Sequence, residues 1–149
     1  MGKTTAVTVK VKLLSADAKM PTRARVGDVA FDLYSAADVD LAPGEHSAVP
    51  TGIAVEIPEG YEGQVRPRSG LAVEHGVTVL NTPGTIDSGY RGEVKTIIIN
   101  LGSEPFHIDK GMRISQLAIR PVPDVNLVES KDLSGTERGS WGFGSTGVS

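Results

Sequence analysis

The strongest constraint on this chain is a hydrophobic period of two. Residues 5–14 read TAVTVKVKLL, with Val7, Val9, Val11 and Leu13 on one face and Thr8, Lys10 and Lys12 on the other. That is the pattern of a half-buried strand. Further β-branched runs follow at residues 47–57, 63–66, 77–80, 94–101, 113–119 and 125–129, punctuated by PG, PEG and LGS turn signals. Nowhere do apolar residues recur at i, i+3, i+4 and i+7 across a dozen positions, so the only helix candidate is a short piece at residues 69–75. The expectation is an all-β sandwich.

The 149 residues fit one domain, long enough to bury roughly 68–70% of the unfolded surface. There is no cysteine, which excludes disulfides, thiolate zinc sites and cysteine nucleophiles and suits a reducing compartment. The N-terminal residues alternate, so they do not read as a secretory leader, and no stretch approaches the roughly 20 apolar residues of a membrane span. A soluble, intracellular and cytoplasmic protein is expected, with no membrane partner. Net charge is −3 with basic and acidic residues intermixed, so there is no electrostatic footprint for nucleic acid. An anionic ligand must meet locally placed positive groups.

Two runs, TIIINL at 96–101 and ISQLAI at 114–119, are too apolar for strands with one wet face. Burial on both faces is expected, either at a subunit interface or at the centre of the sandwich. Strand signals end near residue 129, and the Gly- and Ser-rich remainder reads as a mobile tail.

Polar residues that demand an explanation fall in five short segments. In AFDLYSAA (30–37), Asp32 sits among apolar neighbours, where its charge needs a partner, a cation or a turn to cap. RPRSGLA (66–72) combines Arg68 and Ser69 as donors with Gly70 in a turn. NTPGTIDSGYRGEV (81–94) carries Asn81, Asp87 and Tyr90 and reads equally as a hairpin with a polar tip. In KGMRISQL (110–117), Gln116 interrupts an apolar strand and needs partners there. RGSWGFGSTGVS (138–149) has the GxxxxG-Ser-Thr spacing of a phosphate loop. It lacks the lysine, the preceding strand and the following helix of a nucleotide-triphosphatase loop, and the GKT of residues 2–4 lacks the first glycine and its strand. Several glycines can still turn backbone N–H groups toward phosphate as a nest, with Arg138 adding charge.

In order and combination, these five segments resemble the five motifs of the homotrimeric dUTPases, over nearly the whole chain. The resemblance implies a jelly-roll-like β-sandwich subunit of the dUTPase β-clip type. It would be divided into a β-domain at residues 1–133 and a flexible glycine-rich lid at 134–149. It implies Mg²⁺-assisted hydrolysis of dUTP to dUMP and pyrophosphate, which limits uracil incorporation into DNA and supplies dUMP for dTMP synthesis. By the same resemblance Asp87 activates the water that attacks the α-phosphorus, and Asp32 is a supporting acid near the metal, reached through water. The metal itself is held mainly by the phosphates. Asn81 and the backbone of Gly84, Thr85 and Ile86 read the uracil edge, while Tyr90 stacks on the deoxyribose and leaves no room for a 2′-hydroxyl. Arg68, Ser69, Gly70 and Gln116 contact phosphate. From the tail, Phe143 stacks on the base, and Arg138, Gly144, Ser145 and Thr146 clamp the distal phosphates. The only partners implied are dUTP and further copies of the chain, three of which assemble each site. Trp141 stands where many members carry a small residue. His46, His75 and His107 show no metal spacing and are read as structural. A related dCTP deaminase would carry a glutamate within 96–100, where this chain reads TIIIN. A catalytically dead nucleotide sensor has no chemical need for Asp87, Tyr90 and Arg138 together.

Overall fold

The computed structural model describes residues 5–148; the GKT of residues 2–4 and the last residue of the tail lie outside them. The described residues form ten strands and one helix: β1 Lys10–Leu13, β2 Phe31–Tyr34, β3 Val39–Leu41, β4 His46–Glu56, β5 Tyr61–Arg66, α1 Ser69–His75, β6 Val77–Val79, β7 Gly84–Ile86, β8 Glu93–Asn100, β9 Phe106–Ile108 and β10 Arg113–Pro121. One antiparallel sheet has the order β1-β4-β8-β6, a second β2-β10-β5-β7, and β3 and β9 pair as a separate ribbon. The fold is an all-β sandwich.

Alternation decides which side chains fill the space between the sheets. Leu33, Ile53, Val55, Ile57, Val65, Ile86, Val94 and Leu117 form one buried cluster, with contributions from both sheets. Leu41, Val49, Val77, Val79, Ile98, Phe106, Ile108 and Ile114 form a second, closed by the ribbon. Buried hydroxyls tie the layers together: Thr96 on β8 and Ser115 on β10 share a 2.8 Å hydrogen bond between the sheets, and the Thr51 hydroxyl donates to the Val94 carbonyl. The Asn100 amide nitrogen donates to the carbonyls of Leu41 and Glu104, and its oxygen accepts from the Gly102 N–H. Among the described residues no buried side-chain nitrogen or oxygen lacks a partner.

The two apolar runs became β8 and β10, each central in its four-stranded sheet. On β8 the fully buried positions alternate with half-buried Ile97 and Ile99, so its second face is only partly covered. The helix lies where expected, ending on Gly76 in the left-handed conformation. Two expected strands differ. Pairing of the first begins only at Lys10, and β1 is an edge strand with a single neighbour, so Leu13 stays about half exposed (47%). Residues 125–129 form no strand; Val125, Leu127 and Val128 are exposed and find no ladder partner among the described residues. From residue 122 onward the described tail is exposed throughout, apart from a half-buried Gly142. No described helix is long and apolar enough to cross a membrane.

Candidate active site

The expected site residues fall into three groups. The first lines a cavity of about 270 Å³: Asn81, Gly84, Thr85, Ile86, Asp87 and Tyr90, walled by Val65, Val79 and Ile97, with Glu93 and Lys95 at the side. Gly84 brings its backbone close to both walls. A Cβ at that position would lie 3.3 Å from Val65 Cβ and 3.5 Å from the Asn81 amide nitrogen. Asp87 follows β7 directly, its carbonyl accepts the Tyr90 N–H at 3.1 Å, and its side chain is exposed. The Tyr90 hydroxyl donates to the Glu93 carbonyl at 2.9 Å. The result is a cavity of mixed lining in which an amide, a carboxylate and a phenol meet aliphatic walls.

The second group is a row across three strands. In the register of the second sheet Gln116 on β10 stands opposite Asp32 on β2 and opposite Arg66 on β5. Around this row a cavity of about 400 Å³ is lined by Asp28, Asp32, Arg66, Arg68, Arg113 and Gln116 among others. Arg68 Nε lies 3.7 Å from Asp32 Oδ1 and Arg113 Nη1 lies 3.6 Å from Asp32 Oδ2, while the Asp32 side chain is only 12% exposed. Arg68 also donates to the Arg113 carbonyl at 3.2 Å, and Arg66 forks onto Gln64 Oε1 at 2.7 and 3.2 Å. This is a cup of fixed guanidinium donors, suited to a polyanion. Ser69 and Gly70 begin α1 beside Arg68 and are exposed. Sequence reasoning missed Arg66 and Arg113. Their signal was the two-residue strand period, which puts Arg66 beside Gln116 once the sheet register is known.

The cavity and the cup face different ways. Val65 lines the cavity and Arg66 lines the cup, and adjacent residues of a strand point to opposite faces.

The third group, Arg138, Phe143, Gly144, Ser145 and Thr146, lies in the exposed tail and borders neither cavity of its own chain. There the Arg138 Nε donates to the Trp141 carbonyl at 2.8 Å. Trp141 is 70% exposed, and Phe143 is fully exposed with a positive φ of 54°, a conformation a non-glycine residue rarely adopts.

The donor set around the cup and cavity fits an Mg²⁺ that arrives on a polyphosphate, because Asp32 and Asp87 are separate carboxylates and not a cage. The one described group of three metal-type donors is elsewhere: ligand atoms of Asp38, His107 and Asp109 lie within 4.8 Å of one another at the ribbon. Sequence spacing did not reveal it, since β3 and β9 bring its members together from distant positions. Both His107 nitrogens are engaged, Nδ1 with Asp40 at 2.6 Å and Nε2 with Asp109 at 3.1 Å. The Asp40 hydrogen bond foremost, aided by the charges of Asp40 and Asp109, raises the imidazole above its usual 6.5. His75 instead packs on Phe106, with ring centroids 5.0 Å apart.

Comparison with known proteins gives these groups a common setting. The dUTPase family model matches residues 16–147. A deoxyuridine 5′-triphosphate nucleotidohydrolase of Clostridium tetani is 54% identical over 143 residues, covering 96% of this chain and 99% of that protein. A variant dUTPase of Staphylococcus bacteriophage 80alpha, solved with dUpNHpp, superposes with a TM-score of 0.88 at 34% identity, covering 95% of this chain and 99% of that one. A variant dUTPase from phage phi11 of S. aureus, whose structure describes the coordination of a structural Mg(II) ion, matches with a TM-score of 0.78 at 30% identity, covering 84% and 97%. With the family model spanning both cavities and most of the tail, and a close relative aligned over nearly its full length, the chain belongs to the dUTPase family.

Proposed function

We propose that the protein hydrolyses dUTP to dUMP and pyrophosphate in a homotrimer whose sites are shared between subunits. The observation that carries this reading is the single cavity in which Asn81, Gly84, Thr85, Ile86, Asp87 and Tyr90 meet. Asn81 and the backbone of Gly84–Ile86 offer the donors and acceptors for the uracil edge. Cytosine would leave them mismatched, a strong discriminator in a confined site. Tyr90 closes the sugar side against a 2′-hydroxyl. Asp87 stands at the mouth, where it takes the proton of the water attacking the α-phosphorus; a carboxylate serves because the proton leaves as the new P–O bond forms.

The triphosphate belongs to the guanidinium cup. Arg68, Gln116 and Ser69, joined by Arg113, hold its oxygens, and Asp32 keeps Arg68 and Arg113 apart and aimed. Asp32 is the carboxylate that would hold an Mg²⁺ carried by the triphosphate, through water, and the ion would supply neutralisation of phosphate charge and polarisation of the phosphoryl group. On this reading a nucleotide in one chain's cavity meets the cup of a second chain, which is supported by the pleat of β5 turning Val65 to the cavity and Arg66 to the cup. The tail of a third, residues 134–149, then acts as the lid. Arg138 and the Gly144–Thr146 backbone clamp the distal phosphates, and Phe143 covers the base, a stacking contact worth about 1–3 kcal/mol.

The test is a panel of dUTP, dCTP, dTTP and UTP with purified protein, following proton and pyrophosphate release. Turnover confined to dUTP is expected, and Asp87→Asn should lower kcat by about 10²–10⁴-fold while nucleotide binding persists. Ammonia released from dCTP, or an inert dUTP, would refute the proposal.

A further inference from the structure

The loop of residues 87–92 lies outside the ladders of β7 and β8 that flank it, yet it carries Tyr90. We infer that Arg91 is the positioning residue for Tyr90, and that it thereby sets the enzyme's selectivity between deoxyribose and ribose. The inference rests on the reading of the cavity as a deoxynucleotide site with Tyr90 as its sugar wall.

Arg91 Nη1 donates to the Ser88 carbonyl at 2.6 Å and to the Tyr90 carbonyl at 3.1 Å. Its Nη2 lies 3.5 Å from Glu56 Oε1. Glu56 is the last residue of β4 and also pairs with Lys10 of β1 at 3.4 Å. One planar fork therefore fastens two carbonyls of the loop to a carboxylate on a paired strand. A lysine ammonium is a point charge on a flexible stem and cannot span that set in one plane.

The other end of Tyr90 is held separately. Its hydroxyl donates to the Glu93 carbonyl, and the Glu93 carboxylate accepts the Gly52 N–H of β4 at 3.2 Å. The ring lies over Gly92 so closely that a Cβ there would fall 2.5 Å from the hydroxyl oxygen and 2.7 Å from Cζ. The ring is thus tied to β4 through Arg91 on its backbone side and through Glu93 on its hydroxyl side. A wall that excludes one oxygen atom works only if it does not recede, and small displacements in a site of this kind have large kinetic consequences.

Arg91 is 53% exposed and Glu56 46%. Exposed pairs contribute little to global stability, so Arg91→Ala should fold while loosening the loop.

The experiment measures kcat/KM for dUTP and for UTP with the full chain. Discrimination by a packed wall spans roughly 10–200-fold, and Arg91→Ala is expected to lower the dUTP:UTP ratio by about ten-fold. UTP should gain as dUTP falls. Arg91→Lys should recover the ratio only in part, and Gly92→Ala, which displaces the ring from its other side, should lower it as well. A parallel fall for both substrates at a constant ratio in Arg91→Ala would overturn the inference, since that is what a merely structural role produces. Should Arg91→Ala fail to fold, a wild-type ratio in both Arg91→Lys and Gly92→Ala overturns it equally. Tyr90→Ala separates the levels. If its ratio collapses while the Arg91 variants keep theirs, the sugar wall stands and Arg91 does not position it. If its ratio is unchanged, the wall fails and the inference with it.

Discussion

Asp32→Asn separates two roles that a carboxylate in this position can play. Its two oxygens lie 3.7 and 3.6 Å from Arg68 and Arg113, and its side chain is 12% exposed. At an effective dielectric near 20, each charge pair at that separation is worth about 4–5 kcal/mol gross. The Arg68 and Arg113 side chains are 26% and 49% exposed, and desolvation of all three groups offsets most of the attraction. A net destabilisation of roughly 1–3 kcal/mol is expected, read as a drop of several degrees in the thermal midpoint. The functional effects diverge in sign. Removing the carboxylate raises the cup's formal charge by one, so metal-free pyrophosphate should bind about five- to ten-fold more tightly by titration calorimetry. The freed guanidiniums lose their fixed direction, so kcat should fall about 10²-fold. The Mg²⁺ midpoint of turnover should barely move. If instead pyrophosphate binding weakens and the Mg²⁺ midpoint rises about ten-fold or more, the loss is one of metal affinity. The counter-charge role would then be wrong.

Gly63→Ala tests the packing of the first core cluster: the new Cβ would meet Ile57 Cδ1 at 2.8 Å, Leu117 Cδ1 at 3.1 Å and Ile86 Cβ at 3.2 Å. A loss of about 1–3 kcal/mol is expected in denaturant titration. His107 should titrate above 6.5 by NMR, since its hydrogen bond to Asp40 favours the charged ring. The resulting stability is complete below the unfolded value and lost as pH rises through the folded one, so the thermal midpoint of wild type should fall relative to His107→Gln across that interval. Truncation after Ser134 should leave the thermal midpoint nearly unchanged, because the removed residues that the structure describes are exposed apart from a half-buried Gly142. The same truncation should cut kcat by about 10³-fold or more through loss of the tail arginine; normal turnover would refute the lid.

The strands legible in the sequence were those with enough length or β-branching to show their period. β4, β8 and β10 run 11, 8 and 9 residues, and their alternation survives an occasional polar residue such as Thr51 or Ser115, which the fold satisfies internally. β2, β3, β7 and β9 are three or four residues long, too short for a period to register. Two of them carry a residue that breaks the pattern, Asp32 in FDLY and Gly84 in GTI, each buried where an apolar side chain is expected. Their pairing comes from neighbours far along the chain: Leu41 meets Phe106, and Gly84 meets Val65. The failed strand at 125–129 errs the other way. Val125, Leu127 and Val128 have the propensity, but propensity reports fitness for a pleated, half-buried surface, and the described fold offers these residues no such surface.

The site residues were legible as short segments, but their grouping was not. Asp87, Tyr90 and Asn81 are close in sequence and share a cavity. Asp32, Arg66 and Gln116 are remote in sequence and meet only through the register of three strands. The same pleat that aligns that row turns Arg66 away from Val65, so the cup and the cavity take adjacent residues of β5 from its opposite faces. Val65 is 4% exposed in the core, and the β5–β10 ladder sets Arg66 opposite Gln116. The tail adds a third separation. Leu127, Leu133, Trp141 and Phe143 are 92, 91, 70 and 113% exposed, apolar area that the subunit leaves uncovered along the segment that touches neither cavity. The divided site and the uncovered tail both support the proposed homotrimer with shared sites, in which each chain would supply the parts that its neighbours lack.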